Sequence, residues 1–190
     1  MNGRTAVFLD LQGTLGGEGL GDIRDFVFYP FAIPAIKLLK TANLLTVIIT
    51  NQTHIAVGKF TLQYFQDRMK VLQQEAIDGG AGIDAVYCCP HGKNDGCNCK
   101  KPKPGLVLQA QKELNLDLNG CYLVGDAGAW DMVLAHSLNI KGVLVRTGLG
   151  ESSLGEYRHT WPDIIPHHIA ENVLVAAQWI ISDLEKNNRS

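Results

Sequence analysis

Three stretches rich in oxygen-bearing side chains stand far apart in this chain, and each follows directly on an apolar run. Asp10 closes Ala6–Leu9 and opens Asp-Leu-Gln-Gly-Thr-Leu; Thr50-Asn51-Gln52-Thr53 closes Leu45–Ile49; Gly125-Asp126 closes Tyr122–Val124, with Asp131 five residues beyond. A fourth stretch, Lys100-Lys101-Pro102, supplies cations. An aspartate can attack phosphorus and carry the phosphoryl group as an acyl phosphate. Mg²⁺ takes oxygen ligands, usually a couple of carboxylates with waters and substrate phosphate, and Asp10 and Asp126 are suited to that. The Thr50 hydroxyl, the Asn51 backbone N–H and Lys101 are the preset donors that a transferring phosphoryl group requires. Gly13 lets backbone N–H groups close on a phosphate with no Cβ in the way. Taken singly, Asp10, Thr50 or Asp126 would serve equally well as a helix cap after its strand; three strand ends and a lysine together point to a site.

A second set is softer. Cys89-Pro90-His91 is followed five residues later by Cys97-Asn98-Cys99. Three thiolates and an imidazole match a closed tetrahedral Zn²⁺ site, structural rather than catalytic because no coordination position stays open. Gly92, Asn94, Asp95 and Gly96 suit the tight loop between them, and the metal would pin that loop beside Lys100 and Lys101. Free thiols or a disulfide are the competing readings. An odd count of five cysteines, four of them between Cys88 and Cys99, does not suit a secreted disulfide framework. Whether Cys88 joins the metal set stays open, and Cys121 reads as a small buried apolar residue.

The elements that must position these groups alternate. Apolar strand runs lie at 6–9, 45–49, 85–88, 122–124 and 142–145, and helix patterns near 32–42, 59–77, 104–114, 130–138 and 168–184. Continuous apolar strands between amphipathic helices predict an α/β fold with a doubly wound, Rossmann-like parallel sheet covered on both faces. Ligands then bind at the carboxyl ends of the strands. Residues 15–29 and 91–103 interrupt the alternation and read as loops over that edge. One domain over residues 1–190 is expected, with the zinc loop at 89–99 and no large cap, since no bulky insertion separates the Asp10 and Thr50 segments. A 46% hydrophobic, 19% charged composition is that of a folded globule, and a net charge of −2 carries no nucleic-acid footprint. The Met-Asn-Gly-Arg start and the short apolar run after it suit neither a signal peptide nor a membrane span. The expectation is a cytoplasmic protein, a monomer or small homo-oligomer, with a small phosphorylated partner and neither nucleic acid nor membrane.

FLDLQGTL, IITNQT, KKPKPG and LVGDAGAWD, in this order, resemble the four motifs of the haloacid dehalogenase superfamily. NQTHIAVGKFT, CPH with CNCKKPKPG, and VLVRTGLG are similar to its heptose bisphosphate and histidinol-phosphate phosphatase branch. The resemblance implies a Mg²⁺-dependent phosphatase acting on a small phosphorylated metabolite, a sugar phosphate, through an aspartyl-phosphate on Asp10. Mg²⁺ would be held by Asp10, Asp126 and the Gln12 backbone carbonyl, with Asp131 behind them orienting water or Lys101. Thr50, Asn51 and Lys101 would hold the phosphoryl group in a cradle shared with Gly13, Gln52 and Thr53, and Lys100 would lie near the substrate.

This chain departs from that pattern at two positions. Gln12 stands where the family carries a second aspartate that protonates the leaving group and then activates water. An amide cannot do so, and such help is typically worth about 10²–10⁴-fold. Three readings follow: a slow enzyme or one suited to leaving groups that need little protonation, a substitute acid–base group such as His54, or a module that binds phosphorylated ligands without efficient turnover. P-type ATPases also lack this aspartate and still form the acyl phosphate, which favours an enzyme. Ala127 stands where the heptose phosphatases tend to have lysine, which weakens the case for a second phosphate. An uncapped site would also admit a macromolecular phosphate, though the charge balance gives that no support. His54 is expected on an exposed loop, Trp130 at a helix start or stacked on substrate, and His159, His167 and His168 on the surface.

Overall fold

The computed structural model describes residues 3–187; Met1 and Asn2, the start of the stretch read above for a leader, lie outside them. Six strands form one sheet: β1 (Ala6–Leu9), β2 (Leu45–Asn51), β3 (Ala85–Cys89), β4 (Tyr122–Gly125), β5 (Lys141–Val145) and β6 (His168–Ala170). All pairings are parallel and the order is β3-β2-β1-β4-β5-β6. The predicted doubly wound α/β fold is thus what the chain adopts.

The strand period of two explains how both faces are filled. Val7, Leu9, Ile48, Val124, Val143 and Val145 point to one face. There they meet α1 (Ala32–Thr41), α3 (Leu62–Asp78) and α7 (Val173–Asn187). Ala6, Phe8, Val47, Ile49, Leu123 and Leu144 point to the other, toward α4 (Gly105–Leu114) and α5 (Val133–Ser137), and the short α6 (Gly150–Leu154) follows β5. Helix α3 begins where Thr61 caps it, its hydroxyl accepting from the Tyr64 N–H at 3.1 Å. It buries Phe65, Met69, Leu72 and Ala76, the stripe a 3.6-residue period requires. The apolar stripe Val173, Ala176, Ala177 and Ile180 of α7 is buried likewise. No helix among the described residues is long and apolar enough to cross a membrane.

Four boundaries differ from the sequence reading. Residues 168–170 pair with β5 as β6, and α7 starts only at Val173. His168 is therefore half-buried and stacked on Trp179 at 4.9 Å, not a surface residue, and His167 accepts from the Gly142 N–H at 3.2 Å. The helix expected over 59–77 starts only at Leu62, as α3, and a short helical turn outside that span, α2 (Thr53–Ala56), precedes it. Residues 128–132 form one wide π turn before α5. The glycine-rich segment 15–29 does enter the core: Leu15, Ile23 and Phe26 are buried there. Its ends are tied by bridges between Gln12 and Gly16 and between Gly16 and Phe28.

The chain winds outward from β1 to β3, then crosses back to place β4 on the other side of β1. Between the carboxyl ends of β1 and β4 the connections lead apart, which opens a crevice. The Asp10 N–H continues the pairing onto the Val124 carbonyl at 3.0 Å, fixing Asp10 at the mouth of that crevice.

Candidate active site

Asp10, Thr50, Lys101, Asp126 and Asp131, separated by up to 121 positions in sequence, are all buried around this crevice. Asp10 Oδ1 accepts from Lys101 Nζ at 2.6 Å, and Asp10 Oδ2 from the Thr14 hydroxyl at 3.3 Å. Lys101 also donates to Asp131 Oδ1 at 2.7 Å. The Asn51 side chain grips the Lys101 backbone at both ends: Oδ1 accepts from its N–H at 2.9 Å and Nδ2 donates to its carbonyl at 3.2 Å. Asn51 thus positions the lysine with its side chain, a role separate from any its backbone N–H plays.

Asp126 is clasped by backbone. Its Oδ2 accepts from the Leu149 N–H at 2.7 Å. Gly13 and Gly148 press on the same oxygen with φ of 82° and 57°; a Cβ on either would sit 2.0 or 2.1 Å from it. Only glycine tolerates both the conformation and the approach. Thr147 locks the arrangement by donating to the Gly13 carbonyl at 2.6 Å.

Three carboxylates, Asp10, Asp126 and Asp131, each offer an oxygen within 4.8 Å of the others. One lysine faces them. Burial, and then the charges of Asp10 and Asp131, push the Asp126 carboxyl far above its usual range. Burial also raises Asp131 to about 6, against the opposing pull of Lys101. Burial works against the Lys101 ammonium, but Asp10 and Asp131 outweigh it and hold its pKa above the ordinary value. The buried donor set is all oxygen and carries more negative charge than one lysine balances. That is the environment a hard divalent cation fits.

Gln12 is buried and anchored. Its Oε1 accepts from Gln52 Nε2 at 2.9 Å and from the Thr50 hydroxyl at 3.2 Å. Its amide nitrogen reaches only the Gly21 carbonyl, at 3.5 Å, so that donor is the least committed part of the side chain. Lys100 donates to the Thr53 hydroxyl and, at 3.3 Å, to the His91 carbonyl. It thereby links the Thr50 loop to the cysteine loop.

In that loop Cys89, His91, Cys97 and Cys99 converge with ligand atoms all within 4.8 Å. His91 Nδ1 lies 3.1 Å from Cys99 Sγ, and Cys89 Sγ lies 3.1 Å from Cys99 Sγ and 3.7 Å from Cys97 Sγ. All five cysteines are free, so the disulfide reading fails. Burial pushes the Cys89 thiol well up, and a cation among three sulfurs would reverse that by stabilising the thiolate. Cys89 is the last residue of β3 and not the first of a loop. Cys88 stays outside the cluster, its thiol raised to about 11 by burial.

A cavity of about 530 Å³ opens above these groups, and His54, Lys93, Lys100 and Trp130 stand on its walls. His54 is half-buried on α2 rather than on an exposed loop; its Nδ1 lies 3.5 Å from Asp22 and its Nε2 3.2 Å from Lys59 Nζ. Trp130, 38% exposed, belongs to the cavity, and the tryptophan that packs in the core is Trp161. A larger hollow of about 870 Å³ lies at the opposite, amino end of the sheet beside Thr5 and Leu45; it gathers no convergent catalytic set. Thr14, Asp22, Thr147 and Leu149 escaped the sequence reading. Of these only Thr14, in the turn after Asp10, carried a local signal.

Fold and site together define a hydrolase of the haloacid dehalogenase class, and residues 98–175 match the family model described as HAD-hydrolase-like. The D-glycero-β-D-manno-heptose-1,7-bisphosphate 7-phosphatase of Pasteurella multocida (strain Pm70) is 40% identical over 76% of this chain and 83% of its own. That of Escherichia coli (strain K12) is 33% identical over 94% and 89%. The D,D-heptose 1,7-bisphosphate phosphatase of B. bronchiseptica, solved with magnesium and phosphate, superposes with a TM-score of 0.84 at 25% identity, covering 95% of this chain and 99% of that one. The chain belongs to this heptose bisphosphate phosphatase family, a group of phosphoric monoester hydrolases. That membership favours the phosphatase reading over the binding module.

Proposed function

We propose that this chain hydrolyses a sugar phosphate through an aspartyl-phosphate on Asp10. The observation that carries the reading is the meeting of Asp10, Asp126 and Asp131 within 4.8 Å, with Lys101 2.6 Å from Asp10. Asp10, Asp126 and the Gln12 backbone carbonyl are the groups to hold Mg²⁺, which when bound offsets charge on the phosphoryl oxygens. Lys101, kept in place by Asn51 and Asp131, orients the Asp10 carboxylate. Thr50 and the N–H groups after Asp10 and Thr50 cradle the phosphoryl oxygens, with Gly13, Gln52 and Thr53 shaping the cradle and Lys100 beside the substrate. Asp10 attacks phosphorus, the P–O bond to the sugar breaks, and the departing alkoxide takes its proton from water, because Gln12 has none to give. Water then attacks the acyl phosphate, releasing inorganic phosphate and restoring Asp10. The cysteine loop holds a structural Zn²⁺ that fixes Lys100. A cytoplasmic location suits cysteines that form no disulfide.

The test is Mg²⁺-dependent phosphate release from a sugar-phosphate panel by wild type and Asp10→Asn. Wild type is expected to release phosphate and Asp10→Asn none; equal rates in the two would overturn the assignment of the nucleophile.

A further inference from the structure

Next to the catalytic cavity lies a second one, of about 350 Å³, walled by Leu20, Ala127, Trp130, Leu149 and Tyr157. Leu20 and Trp130 line both, so the two adjoin. The second has no charged residue in its lining. Of its three hydroxyls, the two aliphatic ones are already used: Ser153 accepts from the Gly128 N–H at 3.1 Å and donates to the Asp126 carbonyl at 3.0 Å, while Thr160 donates to the Tyr157 carbonyl at 2.7 Å; the third is the Tyr157 phenol. The lysines of the catalytic cavity, Lys93, Lys100 and Lys101, come from the loop after β3, on the other side of β1 from the loops after β4 and β5 that make most of this wall. Around its opening Leu20, Trp130 and Tyr157 remain 68%, 38% and 46% exposed. Apolar surface grouped beside a catalytic centre is the signature of a ligand subsite.

We propose that this cavity is an apolar subsite for the leaving-group side of the substrate, so that the sugar phosphate carries an uncharged, ring-sized aromatic or alkyl substituent there and not a second charge. The occupant is part of the substrate because Leu20 and Trp130 line this cavity and the one that holds Asp10, which places the two side by side. This rests on the phosphatase reading above.

Three glucose 6-phosphates that differ only at C1, as methyl, phenyl and carboxymethyl glycosides, test it. The phenyl compound is expected to exceed the carboxymethyl compound about tenfold in kcat/KM, the effect of covering one aromatic ring, and to do so through KM. Tyr157 is half-exposed and touches only the second cavity, so Tyr157→Ser is expected to erase the phenyl advantage and leave the methyl glycoside unchanged. Calorimetry of the same compounds on Asp10→Asn reads binding without turnover. If none of the three is hydrolysed, the phosphatase reading falls for this class, yet tighter binding of the phenyl compound would still support the subsite. Equal or tighter binding of the carboxymethyl compound, or a phenyl advantage that survives Tyr157→Ser, would overturn it.

Discussion

The carboxylate cluster and the thiol cluster are of similar span, yet they are built on opposite plans. Asp10, Asp126 and Asp131 hang from the ends of two strands, are buried, and are held by backbone clasps and one lysine. Cys89 closes β3 and His91, Cys97 and Cys99 follow within the next ten residues, and three of the four are only half-buried. The first set is hard, charge-rich and short of ligands, so it leaves room for substrate oxygens. The second is soft and complete at four. A site meant to exchange its ligands draws them from elements distant in sequence that cannot close around the ion; a site meant only to brace the chain can be local and closed.

That contrast can be broken at its catalytic end first. Gln12→Asp is expected to raise kcat on poor leaving groups by about 10²–10⁴-fold and to add an acid limb to the pH profile. Steady-state rates against esters of graded leaving-group basicity check this, with the gain shrinking as the leaving group becomes more acidic. Unchanged rates would mean that the departing oxygen already finds a proton, with His54 the residue to examine next. At the bracing end, Cys99→Ser is expected to empty the zinc site and lower the melting temperature by roughly 10 °C, read by elemental analysis and calorimetry. An unchanged melting curve would show a loop that needs no metal. Turnover in that variant should fall mainly because Lys100 and Lys101 follow Cys99 directly. The smallest effect lies outside both clusters and sets the scale. Asp183 accepts from Lys141 and from Tyr122, and although burial would raise its carboxyl, these partners hold it below the usual range. A depressed carboxylate stabilises the fold above its unfolded pKa and loses that contribution as pH falls through the folded one. Asp183→Asn should therefore cost about 1 kcal/mol at neutral pH, and the cost should vanish as pH falls through the folded pKa of Asp183, measured by denaturant unfolding at each pH.

The parts legible in sequence were those encoded locally. Apolar runs such as Leu45–Ile49 revealed the central strands, and the ends of those runs marked Asp10, Thr50 and Asp126. The cysteine spacing named four residues that the fold brings together. What stayed hidden depends on contacts far along the chain. Strand β6 is three residues among histidines and prolines, too short for any period, and exists because β5 offers an edge. The bond from Gln52 to Gln12 spans 40 positions, and the grip of Asn51 on Lys101 spans 50. The core role of Leu15, Ile23 and Phe26 was masked by glycines that read as loop.

The suture between Thr147 and Gly13, and between Leu149 and Asp126, sets a lower bound on how far the chain can be shortened. A fragment ending with β5 at Val145 would retain each acid, amide and ammonium assigned to phosphoryl transfer. It would nevertheless lose the hydroxyl and the amide that stitch the two halves of the crevice shut, leaving the Asp126 carboxylate without its backbone donor. Any truncation, circular permutation or split version of this enzyme must therefore carry the turn beyond β5 in the same piece as that strand.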